Sequence, residues 1–266
     1  MKNTNMAHTS KVIALEARLK GCKNVITLGV LPNFSDYSDE ETELIRNAEK
    51  IYYPTTFYAD LFDAMGKKTF PSYHTYKCVQ DKIKQTALFN LLMIPHPKTR
   101  VFYGKRQKKT ITDHFQFPLI GKIPRGSAMG RGVYLIKNKK DLDAYLQVTG
   151  PAYIQEYLAI DRDIRVVVIG KKIVHSYWRI ASEGEFRSNV ALGGNISFDH
   201  IPTQALDLAL HTVKKCKWDD VGIDICMFKN NFFILEANMK YGKEGFRKAG
   251  IDYKKLMENM IDNEEI

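Results

Sequence analysis

Asp224, Glu236 and Asn238 stand out in the stretch VGIDICMFKNNFFILEANMKYG because they interrupt otherwise apolar runs. Val221–Phe228 and Phe232–Met239 are split by Lys229-Asn230-Asn231, which is a hairpin pattern. With its turn centred on Asn230, the hairpin is predicted to oppose Phe228 to Phe232, Cys226 to Ile234 and Asp224 to Glu236. Strand side chains alternate with period two, so Asp224, Glu236 and Asn238 share one face. Opposed Cβ atoms lie roughly 5 Å apart, and like charges there repel. The pair therefore asks for a cation. Carboxylate and amide oxygens are hard donors suited to Mg²⁺ held together with phosphates; a Lys or Arg partner is the alternative, and the hairpin alone does not choose.

A second group of residues points to phosphate. FPLIGKIP reads as a strand with one charged residue, Lys122, among apolar neighbours. It leads into RGSAMGRGVYLI, where Gly126, Ser127, Gly130 and Gly132 fall within seven residues before another strand. Glycines let successive N–H groups turn inward as an anion nest. Strand–loop–strand is not the setting of a Walker loop or a dinucleotide fingerprint, and such a loop alone is commonly just a turn; the lysine before it favours phosphate. EGEFRSNVALGGN sets Arg187, Ser188 and Asn189 before two glycines, concentrating donors where an oxyanion could sit.

Composition narrows the class without choosing a partner. A chain of 266 residues with 44% hydrophobic content is folded and long enough for a large core. No apolar run is long enough to span a bilayer, and MKNTNMAHTS lacks a signal-peptide core. Cys22, Cys78, Cys216 and Cys226 are scattered, which suggests neither a zinc site nor a disulfide framework; a cytoplasmic, reduced protein is the simplest reading. A formal charge of +10 favours anionic partners. The run Lys105–Lys109, KRQKK, reads as a solvated loop or as a patch facing an anion or nucleic acid.

Further elements must position these groups. Residues 11–20 show helical spacing at Val12, Leu15 and Leu19, and NVITLGV reads as a buried strand. Ser38 and Glu41 form a capping-box start for a helix to about Glu49. IYYP is a strand and TTFYADLFDAMG a helix closed by Gly66, completing a small α/β unit to about Tyr76. A helix over Val79–Leu92 carries Asp81 and Lys82 in its first turn; TRVFYG is a strand, Lys140–Gln147 a helix, and PAYIQEYL a strand. DIRVVVIG and KIVHSYWRI make a hairpin through Gly170-Lys171, apolar except for Asp163, Arg165, His175 and Arg179; His96 and His175 read as structural. Helices are expected from Pro202 and over Tyr253–Ile261.

Taken in order, the segments DKIKQTALFNLLMIPHPKT, PLIGKIPRGSAMGRGV, IQEYL, DIRVVVIG, FRSNVALGG, VGIDI and LEANMKYGKEGFRKAGID resemble the ATP-grasp superfamily, and within it the RimK-like amino-acid ligases. The resemblance covers roughly residues 79–252. It implies an α+β (α/β) ATP-grasp fold with a short N-terminal pre-grasp domain at 1–78, a central subdomain with a glycine-rich lid at 79–160, and a C-terminal subdomain with a metal site at 161–266. It implies ATP held between the two grasp subdomains. Lys82 and Lys122 would contact its phosphates, and Gly126, Ser127, Gly130 and Gly132 would close over them. Gln155, Glu156, Tyr157 and Leu158 would form the adenine hinge, and Asp163, Arg179, Arg187, Ser188 and Asn189 would face the nucleotide. Asp224, Glu236 and Asn238 fall on the family's ligands for Mg²⁺, with Mn²⁺ as a substitute. Catalysis would rest on Arg187 and Lys122, joining an amino acid to an anionic small molecule, peptide or protein; a homo-oligomer is compatible with all of this.

The pattern departs from the family in two places. Met239-Lys240-Tyr241 stand where small residues and proline are usual, and Ala191-Leu192 where His-Arg is usual before the double glycine. Both border the acceptor side, which leaves the identity of the added amino acid open. Two other classes remain: a phosphotransferase on the same fold, and a basic ATP-regulated nucleic-acid-binding module, ranked last.

Overall fold

Val12–Ala14 (β1) lies between Val25–Thr27 (β2) and Lys50–Tyr52 (β3) in a parallel sheet bounded on the far side by Lys68–Phe70 (β4). The computed structural model describes residues 11–126, 132–182 and 194–266. Residues 11–20 were expected to be helical; they form β1 and a single 3-10 turn, Ala17–Leu19. Val12 and Ile13 are β-branched, and ladder bonds on both sides outweigh a helix of barely ten residues, which is marginal in water. β2 lies at the sheet edge and is only partly buried. The helix Asp39–Asn47 begins with both halves of the capping box between Ser38 and Glu41. Thr55–Ala64 is helical and Gly66 follows at φ +71°.

The helix predicted over residues 79–92 starts three residues later than expected, after a separate helix that ends at Val79. Tyr73–Val79 ends first, and Lys82–Leu92 begins afresh with Asp81 accepting the N–H groups of Ile83 and Lys84. Thr99–Phe102 (β5), Leu119–Lys122 (β6), Val133–Ile136 (β7) and Ala152–Glu156 (β8) make an antiparallel sheet in the order β5-β8-β6-β7. Its apolar face packs Phe102, Ile111, Leu142 and Tyr145 into one core. The KRQKK run is helical over Gly104–Lys108 rather than a loop.

Arg162–Ile169 (β9), Lys172–Ile180 (β10), Asn195–Ser197 (β11), Asp220–Phe228 (β12) and Asn231–Asn238 (β13) form the third sheet, ordered β11-β10-β9-β12-β13. On one face Ile164, Val166, Val168, Ile223 and Ile225 pack with the helix Thr203–Cys216 and with Phe89 of Lys82–Leu92. Each fully buried aliphatic side chain is worth about 1.5–3 kcal/mol, so this face holds the register and forces the intervening residues to the other side. There the N-terminal unit covers Val167 and Ile169 together with Tyr241, Phe246 and the helix Tyr253–Asp262. Asp163, Arg165 and Asp224 occupy the same side nearer the other end of their strands.

The hairpin register differs from expectation, and two differences cancel. The turn holds two residues, Lys229 (φ +50°) and Asn230 (φ +63°), the left-handed pair of a tight hairpin. Phe228 therefore faces Asn231 instead of Phe232, and Cys226 faces Phe233 instead of Ile234. Left uncorrected, that shift would turn Glu236 to the far face. A bulge at Leu235 restores the pairing Asp224–Glu236.

Candidate active site

One row of side chains crosses four strands: Tyr177 on β10, Arg165 on β9, Asp224 on β12 and Glu236 on β13 are successive cross-strand partners. Asp163 faces Arg179 in the neighbouring row, and Asn238 faces Gly222. The sequence reading named all of these except Tyr177, Gly222 and Arg165 as site residues. Arg165 carried a usable signal: it is two residues from Asp163 in the apolar strand DIRVVVI and so shares its face.

Asp224 and Glu236 do not meet as bare like charges. Arg165 donates to both oxygens of Asp224, through Nε to Oδ1 and through Nη2 to Oδ2 at 3.1 Å. Arg179 Nη2 reaches Oδ2 of Asp224 at 2.8 Å, while its Nε and Nη2 hold Asp163 at 2.6 and 2.8 Å. Burial alone would raise the Asp224 pKa, but the two guanidinium groups hold it below the ordinary carboxylate value. Burial opposes the charge of Arg179, and Asp163 and Asp224 more than offset this, so its pKa is raised. The expected repulsion across the hairpin is thus corrected: arginine supplies the compensating charge at Asp224.

Glu236 is paired from the other side of the cleft. Lys82, in the first turn of its helix, places Nζ 3.5 Å from Glu236 Oε2, and its N–H donates to Pro124 O at 3.1 Å. Lys122, at the end of β6, is 7% exposed; burial pushes its ammonium pKa down, Glu236 and Asp224 push it up, and Lys82 repels it. Gln85 pins the Lys82 helix to β13, donating to Ala237 O at 2.9 Å and accepting from Ala237 N at 2.9 Å. Leu235, the bulge residue, lines a cleft with Lys82, Tyr153, Gln155 and Glu236. Cys226, on the same face as Asp224, lies within electrostatic reach of Asp163, Lys122 and Glu156; burial pushes its thiol up to about 12 and leaves it unreactive.

The other expected residues divide. Gln155 ends buried in β8 with Nε2 on Thr99 Oγ1 at 3.0 Å, Glu156 accepts the Lys98 N–H, and Tyr157 and Leu158 lie in the connection to β9. Gly126 and Gly132 both adopt positive φ, +69° and +73°, and Ile123 N bonds Gly132 O at 2.7 Å across the mouth of the loop. Ser127, Gly130, Arg187, Ser188 and Asn189 lie outside the described residues. His175 is half-buried with a lowered pKa, and His96 bonds its own chain at Ile94 O.

Among the described residues no group of three or more His, Cys, Asp and Glu is arranged to hold a metal ion. The oxygen set nevertheless fits Mg²⁺ of the kind bound by one or two carboxylates plus substrate phosphates. Glu236 has Oε1 outside its lysine pair, and Asn238 adds an amide oxygen on the same face. Asp224 already satisfies two arginines, so it contributes less freely than the sequence suggested.

A family model described as the RimK-like ATP-grasp domain matches residues 79–261, more than half of the chain. The chain belongs to the RimK-like ATP-grasp family. The probable alpha-L-glutamate ligase of Haemophilus influenzae is 28% identical over 212 residues, covering 77% of this chain and 70% of that protein. The ribosomal protein bS6–L-glutamate ligase of Escherichia fergusonii is 30% identical over 181 residues, 65% of this chain and 60% of that one. The matched stretch therefore leaves a third or more of several such relatives uncovered. A RimK domain ATP-grasp protein from Sphaerobacter thermophilus superposes with a TM-score of 0.67 at 14% identity, over 94% of this chain and 99% of that one. D-alanine–D-alanine ligase from Bacillus anthracis gives 0.66 at 13%, over 90% and 85%. The ATP-grasp fold expected from the RimK-like segments is the fold found.

Proposed function

We propose that the protein is an ATP-dependent carboxylate–amine ligase that binds ATP between the β5–β8 sheet and the β9–β13 sheet. The convergence of Lys82 and Lys122 on Glu236, opposite the Arg165–Asp224–Arg179 cluster, supports this. A carboxylate resists attack by amines at neutral pH. Transfer of the γ-phosphoryl of ATP to a carboxylate oxygen makes an acylphosphate and ADP. Attack by the amine then forms the C–N bond and expels phosphate, with the amine proton leaving to solvent.

Phosphoryl transfer needs positioning and charge neutralisation more than covalent help. Lys122, held in a dry site, and Lys82 provide two cationic contacts for phosphate oxygens. The Asp163–Arg179–Asp224–Arg165 cluster is preorganised, so no reorganisation is required as charge develops. Arg187, with Ser188 and Asn189, is proposed from the sequence as the donor group for the transferring phosphoryl and the tetrahedral oxyanion. Glu236 and Asn238, with Asp224 behind them, would hold Mg²⁺, which when bound neutralises phosphate charge. Gly126 and Gly132 bracket the loop proposed to cover the phosphates, and Gln155 to Leu158 the adenine hinge.

The acceptor is an amino acid in this proposal, and the carboxylate belongs to a small molecule, peptide or protein. No helix among the described residues is long and apolar enough to cross a membrane, and the four cysteines are free; the proposed site of action is the cytoplasm. The deciding experiment incubates the protein with Mg²⁺-ATP and pooled amino acids and peptides, and identifies new amides by mass spectrometry. ADP production that depends on an alcohol but on no amine would point instead to a phosphotransferase.

A further inference from the structure

Asn238 is the last residue of β13, and the β12–β13 ladder ends with it. The three residues that follow alternate: Met239 and Tyr241 are buried and Lys240 is exposed. Two guanidinium groups grip this segment by its carbonyls. Arg165 donates from Nη1 to Tyr241 O at 2.7 Å while its other nitrogens engage Asp224. Arg18 donates from Nη1 to Met239 O at 3.0 Å. Arg165 belongs to the row that crosses the third sheet. Arg18 comes from the 3-10 turn after β1, 221 positions before Met239.

The Arg18 side chain is itself held on several sides. Its Nε donates to the Tyr253 hydroxyl at 3.1 Å, and Nη2 lies 3.6 Å from Asp220 Oδ2. The guanidinium sits over the rings of Tyr241, Tyr53 and Tyr253, at 4.7, 5.3 and 5.8 Å from their centroids. The hydroxyls of Tyr53 and Tyr241 donate to the two oxygens of Asp220 at 2.9 and 2.7 Å. A buried charge cluster of this kind is a weak stabiliser, because desolvation offsets the attraction. What it supplies is direction. Arginine can meet a carbonyl, a hydroxyl and a carboxylate with separate nitrogens of one rigid plane, and lysine cannot.

We propose that Arg18 is a positioning residue for the metal site: by holding Met239 O it fixes the chain one residue after Asn238, and so the direction of the Asn238 amide. The N-terminal unit thereby completes a site whose ligands all lie on the third sheet. The proposal rests on the reading of Asn238 as a Mg²⁺ ligand given above.

The test compares the full-length parent with Arg18→Met, Arg18→Lys and Tyr253→Phe. Arg18→Met keeps the stem and removes the donors. Tyr253→Phe takes a hydroxyl from the same cluster but leaves the contact with Met239. A non-hydrolysable ATP analogue is titrated calorimetrically in Mg²⁺ and in EDTA, and the ratio of the two affinities reports the metal's contribution. Arg18→Met should lower that ratio by about tenfold or more, with the metal-free affinity unchanged. Tyr253→Phe should keep the parental ratio. Hydrogen exchange of the peptide spanning residues 238–243, in the ligand-free proteins, should accelerate in Arg18→Met and not in Tyr253→Phe. A parental ratio in folded Arg18→Met overturns the proposal, as does an equal fall in Tyr253→Phe. If Arg18→Met does not fold, Arg18→Lys, which keeps the charge beside Asp220, is judged by the same criteria. If Mg²⁺ does not strengthen binding to the parent, the metal reading fails, and hydrogen exchange alone decides whether Arg18 holds the segment.

Discussion

Arg165 and Asp224 stand opposite each other on β9 and β12, and two guanidinium nitrogens engage the two carboxylate oxygens. The third, Nη1, donates to Tyr241 O at 2.7 Å, so one side chain ties the hairpin to the segment that follows it. A fork of this shape is specific to arginine, because lysine offers a single point charge. The carboxylate expected to strain the ligand-free protein instead helps to hold it together.

Asp224→Asn should therefore lower stability without ligand, by about 3 kcal/mol or more, because it leaves Arg165 and Arg179 undercompensated in a buried site. Urea unfolding of parent and variant in metal-free buffer measures this directly. A variant as stable as the parent would show that the arginines need no partner here.

The two buried acids at opposite ends of this logic predict opposite pH responses. Asp219, whose carboxylate accepts Ser72 N and Thr75 Oγ1, is pushed up by burial to about 6. Its contribution is complete below the ordinary aspartate value and is lost as pH rises through about 6. At about 1.4 kcal/mol per pKa unit, the parent should lose roughly 2–3 kcal/mol relative to Asp219→Asn between pH 4 and pH 7. Asp224, with a lowered pKa, contributes above the ordinary aspartate value and loses that contribution only as pH falls below it. Denaturant melts of both Asn variants from about pH 2 to pH 7 check the two slopes, the Asp219 slope above the ordinary aspartate value and the Asp224 slope below it.

Lys122→Met should leave the ligand-free protein at least as stable as the parent. The substitution removes a charge that burial already disfavours and keeps the stem volume. ATP turnover should fall by roughly a hundredfold or more if the ammonium is a phosphate contact. A folded Lys122→Met protein with near-parental ADP production would remove this strand end from the phosphate site.

Gly222 has no room for a side chain. A Cβ there would lie 2.4 Å from Tyr241 Cβ and 3.0 Å from Arg165 Cδ. Gly222→Ala should cost about 1–3 kcal/mol by overpacking, and it should loosen the Tyr241 segment, which is proposed to border the acceptor. Thermal melts give the stability change, and a rise in KM for the amine greater than that for ATP would register the local effect.

Strand alternation and a hairpin turn centred on Asn230 placed Asp224, Glu236 and Asn238 on one face, and the structure keeps them there by a different register. Local pattern also put Lys122 in a strand beside a glycine loop and Ser38 at a helix start, since these depend on residues a few positions apart, whereas Asp81, expected within a first turn, is the N-cap instead. The seven ordered segments carried the fold. Local pattern could not say that residues 12–14 are a central strand, because a short apolar run is stabilised by whichever neighbours the tertiary structure brings to its edges. Nor could it find the two-residue turn and the Leu235 bulge, which cancel in register and leave the same faces exposed. The compensation of Asp224 lay furthest from view: Arg165 and Arg179 are 59 and 45 residues away and reach it only because β9 pairs with β12 and β10 with β9. The sequence determined which side chains share a face; the order of strands in the sheet decided which charges meet there.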